Sequence, residues 1–242
     1  MDRQFYVSYC GVGSPASKYW YLSVDFEIQR LYYILGGTGG YYGSDHEKHA
    51  FRTGSVYLFP YNLRHRFYSE SNDPIRHLFF DFLSTPPIIV TQPMELTADV
   101  NSHLQEALAL ACGILSARTS KQIVESQIGE PLLRILLTLM DEISPIPFNM
   151  DPVICKSLEI IQNQYAEPLS VRQLSDQAGF EENYFIRRFS KVMKQTPYAY
   201  LRNYRLMQAR NLLGTGLSME KTAERVGYAS AVSLARALRQ GK

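Results

Sequence analysis

Two sets of side chains in this 242-residue sequence could do chemistry: histidines ahead of residue 80, and a dense run of cations after residue 167. A metal centre needs several ligands converging on one point, with positions left open if it is to catalyse. His46 and His49 are separated by two residues on what reads as a polar turn, while His65 and His77 stand apart. No metal or cofactor is expected from this set. Cys10, Cys112 and Cys155 are scattered, with no CxxC spacing, which fits free thiols in a reducing, cytoplasmic compartment. No GxSxG motif, Cys/His pair or paired-carboxylate pattern offers a nucleophile or an acid–base couple, so no catalytic residue is assigned.

The cations are more informative. Residues 168–242 hold 13 Lys/Arg against 5 Asp/Glu, a net charge of +8. Residues 1–167 hold 12 against 18, a net −6, and the halves give the +2 of the whole chain. A basic carboxyl-terminal module suits an anionic partner, nucleic acid first among them. The composition, 45% hydrophobic and 20% charged, is that of a globular protein. No apolar run approaches the roughly 20 residues of a membrane helix, and MDRQFYVSYC lacks the pattern of a secretory signal, so no membrane association is expected.

These residues need elements to position them. Leu31–Leu35, Ser55–Phe59 and His77–Leu83 are short β-type runs divided by glycines, Pro60 and the Asn72-Asp73-Pro74 turn. That pattern predicts a small barrel or sandwich over residues 1–97. Leu104, Leu108, Ala111 and Leu115 follow helical spacing, predicting a helix over about 98–117. A second helix is predicted from Lys121 to Ile143, with Leu132, Leu136 and Leu139 on an apolar face too wide for water. That face must bury against the barrel, the neighbouring helix or a second subunit. A homodimer joined through residues 98–143 is expected, with 144–150 as a linker before a helical module at 151–242.

Within that module Ser170 reads as a helix N-cap, and Gly179 ends the helix it opens. A short basic helix over Asn183–Lys191 and a long one over Pro197–Leu213 follow. The pattern then recurs as Met219–Val226, Gly227 and Ala231–Gln240. Ala178-Gly179-Phe180 and Val226-Gly227-Tyr228 lie 48 positions apart, each followed by an arginine, Arg187 or Arg236. A helix, a glycine turn and a basic helix make a helix-turn-helix unit, and two of them braced by a long helix can reach successive major grooves.

The stretch PLSVRQLSDQAGFEENYFIRRFSKVMKQTPYAYLRNYRLMQARNLL, followed by LSMEKTAERVGYASAVSLARALRQ, resembles the DNA-binding domain of AraC/XylS-type transcription regulators. The resemblance implies an α+β multidomain protein: an amino-terminal cupin-like β-barrel, a helical dimerisation segment, and an all-α double helix-turn-helix domain. It places Asn183, Ile186 and Arg187 at the DNA, with Arg188 and Lys191 beside them, and Phe185 and Phe189 in the core. Arg187 and Asn183 suit base edges or backbone oxygens. Ala231, Val232, Ala235 and Arg236 take the corresponding places in the second unit, where only Arg236 can hold a phosphate. That unit departs from the family at Thr222, where a large aliphatic residue is usual, and at Leu238, in place of phenylalanine. The match runs out at Lys242, ahead of the family's Gly-x-x-Pro segment and final helix, so the first unit is expected to carry more of the recognition.

Gly54-Ser-Val-Tyr-Leu-Phe-Pro60 followed by His65 partly resembles the second cupin motif, with Asn62 where glycine is usual. His65 alone matches a metal-ligand position. The aromatic richness of residues 1–68 suits a small ligand such as a sugar, which stacks its apolar faces on rings. Trp20, Arg30, Tyr32, His65 and His77 are the ligand-binding candidates. The expectation is a ligand-responsive, DNA-binding regulator with no enzymatic activity. Two rival readings are a cupin-type enzyme with an accessory DNA-binding module, and an interaction protein whose degenerate domain no longer binds DNA.

Overall fold

The computed structural model describes residues 3–15, 28–43, 46–59, 66–89, 92–117, 126–148 and 151–240. The chain forms two units, one from Asp2–Ser84 and Ile88–Phe148, the other from Thr85–Pro87 and Asn149–Lys242. The architecture is α+β: a two-sheet β unit carrying helices, then an all-α unit, as expected from the sequence.

In the first unit, β1 (Gln4–Gly13), β2 (Gln29–Gly36), β5 (Ser55–Phe59), β7 (Arg76–Thr85) and β8 (Met94–Thr97) form a sheet in the order β1-β7-β2-β5-β8. The second sheet is β4-β3-β6, from β3 (Gly39–Tyr42), β4 (Lys48–Ala50) and β6 (Arg66–Ser69). Successive side chains of a strand point to opposite faces, and here both faces are buried. Leu31, Val56, Leu58, Leu78 and Phe80 enter one core. Tyr32, Ile34, Tyr57, Phe59 and Phe67 enter a second, aromatic one together with Phe51 and Ile75. This is why Ser55–Phe59 reads as an unbroken apolar run rather than an alternation. His49, expected on a turn, lies in β4 with its ring stacked 5.0 Å from that of Tyr41.

The predicted helix over 98–117 begins later. Ala98–Val100 is a 3-10 turn, and Asn101 caps α1 (Ser102–Ser116) by accepting the Leu104 amide. Next comes α2, described over Ser126–Ile143; the expected start at Lys121 lies outside the described residues. Leu132 and Leu136 are buried in the same core as Leu104, Leu108 and Phe80, with Leu139 partly buried against it. Of the coverings left open for the apolar face, the chain itself supplies the strand and the neighbouring helix, because α2 lies along β1 and α1. Leu110 and Ile135 remain exposed at 57% and 48%. Residues 145–148, expected within a linker, pack into this unit: Ile146 is buried, and the Ile89 amide donates to the Pro147 carbonyl at 3.0 Å.

The second unit comprises α3 (Pro152–Gln164), α4 (Val171–Ala178), α5 (Glu182–Met193), α6 (Pro197–Gly214), α7 (Met219–Arg225) and α8 (Ala231–Gln240). The long α6 touches α5 as well as α7 and α8. It buries Tyr200, Leu201, Tyr204, Leu206, Met207 and Ala209, too wide an arc for a surface helix.

Candidate nucleic-acid interface

Local sequence explains both turns. Ser170 caps α4 through a reciprocal box, accepting the Gln173 amide while the Gln173 side chain accepts the Ser170 amide. Gly179 ends α4 at φ 84°, a left-handed conformation that a β-carbon disfavours. Gly227 has φ 75°, and a β-carbon there would also meet the Ala166 carbonyl oxygen at 2.5 Å. After the first glycine the chain caps α5 at Glu181; after the second it caps α8 one residue later, at Ser230, whose hydroxyl accepts the Ser233 amide while the Ser233 hydroxyl accepts the Ser230 amide. The extra residue explains why the glycines repeat at 48 while Arg187 and Arg236 repeat at 49.

On α5, Asn183, Arg187 and Lys191 are exposed and Ile186 is half-buried, while Phe185, Phe189 and Met193 fill the core. The Glu181 carboxylate accepts the Asn183 and Tyr184 amides at 2.9 Å each. Those bonds, with Arg187 adding a weaker pull, hold its carboxyl below the usual range. Arg188 faces elsewhere: its Nε donates to Asp151 at 2.8 Å and its Nη1 to the Tyr184 hydroxyl. Asp151 also caps α3 by accepting the Val153 amide. Arg188 is thus engaged within the unit, unlike Arg187.

On α8, Val232 is 76% exposed and Arg236 projects outward, while Leu234 and Ala237 are buried and Ala231 and Ala235 are half-buried. Among the described residues neither Arg187 nor Arg236 has an ion-pair partner. The surface so formed offers hydrogen-bond donors from α5, and Arg236 and Arg239 beside an apolar surface from α8. Thr222 in α7 is fully buried, with no partner for its hydroxyl among the described residues.

Of the ligand candidates, Trp20 and His65 lie outside the described residues. Cross-strand pairing of β2 with β7 sets Arg30 opposite Asp81 and Ile34 opposite His77, placing Arg30, Tyr32 and His77 on one face. Arg30 Nε lies 3.4 Å from Asp81. Burial pushes the Asp81 carboxyl up against the pull of that guanidinium. Tyr32 is 5% exposed, with its ring 4.8 Å from that of His77 and close to Phe51, Phe59 and Phe67. Burial lowers the His77 pKa to about 4, against the opposing effect of its hydrogen bond to the Gly13 backbone. Tyr32 and His77 thus belong to a packed aromatic interior. Among the described residues no group of three or more His, Cys, Asp or Glu could hold a metal ion.

Sequence reasoning missed Asp151, and it missed Arg202 and Arg205 on α6, which line a pocket with Tyr198 and Tyr228. The helical spacing of Tyr198, Arg202 and Arg205 was the available signal.

Residues 174–241 match the model of a helix-turn-helix domain family. The HTH-type transcriptional regulator AlkR of Acinetobacter baylyi is 32% identical over 92 residues, covering 38% of this chain and 30% of that protein. The HTH-type transcriptional regulator YbfI of Bacillus subtilis is 29% identical over 84 residues, covering 35% and 30%. The match thus spans under a third of each curated relative. ToxT of Vibrio cholerae superposes over 100% of this chain and 95% of its own with a TM-score of 0.58 at 10% identity, a likeness of fold alone. Fold and sequence together define a protein bearing a double helix-turn-helix domain.

Proposed function

We propose that this protein is a DNA-binding transcription regulator of the AraC/XylS type, in which α5 reads base edges and α8 holds the backbone. The observation that carries the proposal is the pair of helix-turn-helix units on a segment of net charge +8, with an exposed arginine that has no ion-pair partner among the described residues on the second helix of each, Arg187 on α5 and Arg236 on α8. Asn183, Ile186 and Lys191 extend the first contact; Arg188, turned towards Asp151, positions α5 rather than touching DNA. Ala231, Val232 and Ala235 supply apolar contact, for instance to thymine methyl groups.

The β unit would receive a small-molecule effector. Among the described candidates Arg30 is the best placed to meet an incoming polar group, since Tyr32 and His77 are packed inside. That packing favours no sugar in particular. Regulation rather than catalysis, a cytoplasmic location and a homodimer complete the proposal, the dimer joined at the exposed Leu110 and Ile135.

Salt dependence tests the DNA contact. Each phosphate neutralised releases counterions, so log affinity falls linearly with log salt. Fluorescence anisotropy with labelled duplex DNA should show a steep fall between dilute and physiological salt. Affinity indifferent to salt, or no binding at dilute salt, would overturn the proposal.

A further inference from the structure

The second unit holds a cavity of about 270 Å³ between α6, α8 and the turn that precedes α8. Its wall carries three guanidinium groups, Arg202 and Arg205 from α6 and Arg236 from α8, and no carboxylate. Tyr198, Tyr228 and Ser233 add hydroxyls. Charges gathered this way repel one another unless something offsets them. Arg205 is held in place by donating Nε to the Tyr165 carbonyl and Nη2 to the Glu167 carbonyl, both at 2.6 Å. Those neutral partners orient the guanidinium without cancelling its charge. Arg202 and Arg236 have no ion pair among the described residues. Burial pushes the Tyr228 hydroxyl up while Arg202 and Arg205 pull it down, so these groups sense one another across the cavity.

We propose that this cavity is an anion site for a phosphate group, held by Arg202 and Arg236 with Arg205 as a fixed cation behind them. Guanidinium forks match phosphate oxygens in pairs, and the Tyr198 and Tyr228 hydroxyls can donate to the oxygens left over. The volume lies just under the roughly 300 Å³ at which small-molecule sites begin. With tyrosine rings in its wall, the cavity suits a phosphate ester better than a bare ion. The ester can come from the DNA backbone or from a free small molecule; the recognition chemistry is shared.

The test is calorimetric titration of the whole chain with inorganic phosphate and with phenyl phosphate, ionic strength being matched by chloride. Saturable binding is expected, tighter for phenyl phosphate, with Arg202→Gln and Arg236→Gln each weakening it at least tenfold. Arg172→Gln, on the exposed side of α4, should leave it unchanged. Circular dichroism confirms that each variant is folded; should Arg202→Gln fail to fold, Arg236→Gln on the exposed side of α8 carries the comparison. No saturation beyond chloride, or equal weakening by Arg172→Gln, would overturn the proposal. Repeating the titration with excess non-specific duplex identifies the source: displacement assigns the site to a backbone phosphate, and undiminished binding assigns it to a free ester. The first titration contains no DNA, so a chain that binds phosphate but not DNA overturns the regulator proposal and leaves this one standing.

Discussion

Thr222 and His77 are two buried polar side chains whose cost can be measured. The buried hydroxyl of Thr222 has no partner among the described residues. Removing an unsatisfied buried hydroxyl without changing shape recovers about 1–2 kcal/mol. Thr222→Val should therefore raise the melting temperature of the helical unit; an unchanged or lower value would mean the hydroxyl is satisfied. His77 is neutral in its aromatic surroundings, with a pKa lowered from 6.5 to about 4. Between those values the unfolded chain binds a proton that the folded one refuses, so stability is full above pH 6.5 and falls as pH drops towards 4. The shift corresponds to about 3 kcal/mol at order of magnitude. Urea midpoints at pH 7 and pH 4.5 should fall much less in His77→Gln than in the parent chain; equal falls would place the acid sensitivity elsewhere. The resemblance already placed Thr222 at a core position, but the environment of His77 was not legible in the sequence, where it looked like a polar group available to a ligand. Burial depends on what the second sheet brings across, and no local pattern encodes that.

The helices of the second unit were legible because their ends are written locally. Ser170, Gly179, Thr196-Pro197 and Ser218 act through hydrogen bonds or backbone conformations within a few residues, whereas Gly214, expected to end its helix, lies inside α6, which is capped at Thr215. The tie between α3 and α5 was not, because Asp151 and Arg188 are 37 positions apart. Arg188 consequently reads as one more DNA-facing cation when only its own helix is considered. Asp151 has two tasks, capping α3 and fixing Arg188. A lost cap costs about 1 kcal/mol, and a partly exposed ion pair adds at most about as much. Asp151→Ala should destabilise the helical unit by about 1–2 kcal/mol in urea, while Arg188→Ala should cost less. If Arg188→Ala instead weakens DNA binding without affecting stability, the side chain belongs to the interface after all.

At the scale of the whole molecule, periodicity marked Leu132 and Leu136 as apolar and buried, but periodicity cannot say what covers them. The chain covers them itself, leaving a dimer to rest on Leu110 and Ile135. Light scattering at micromolar concentration should give twice the chain mass, falling to a monomer in a Leu110→Glu/Ile135→Glu variant. A monomeric parent chain would remove the dimer from the proposal. The charge asymmetry, a property summed over a long segment, points to a separate basic helical unit, whereas the change of periodicity near residue 98 falls inside the first unit, which extends to Phe148. What the β unit receives was not, because an aromatic stretch reads the same whether its rings line a mouth or fill a core.

The central claim is that the two recognition helices divide the labour, with α5 reading bases and α8 gripping phosphate. It is tested most directly by titrating Arg187→Ala and Arg236→Ala against a duplex selected from random sequence by the parent chain, and against a scrambled duplex, across a salt series. A bidentate base contact is worth roughly 1–3 kcal/mol of discrimination. Arg187→Ala should lose that much on the selected duplex and little on the scrambled one. Arg236→Ala should weaken both duplexes by similar factors and reduce the salt slope by about 1. If Arg236→Ala proves the more discriminating loss, or if neither variant separates the two duplexes, the assignment of base reading to α5 is contradicted.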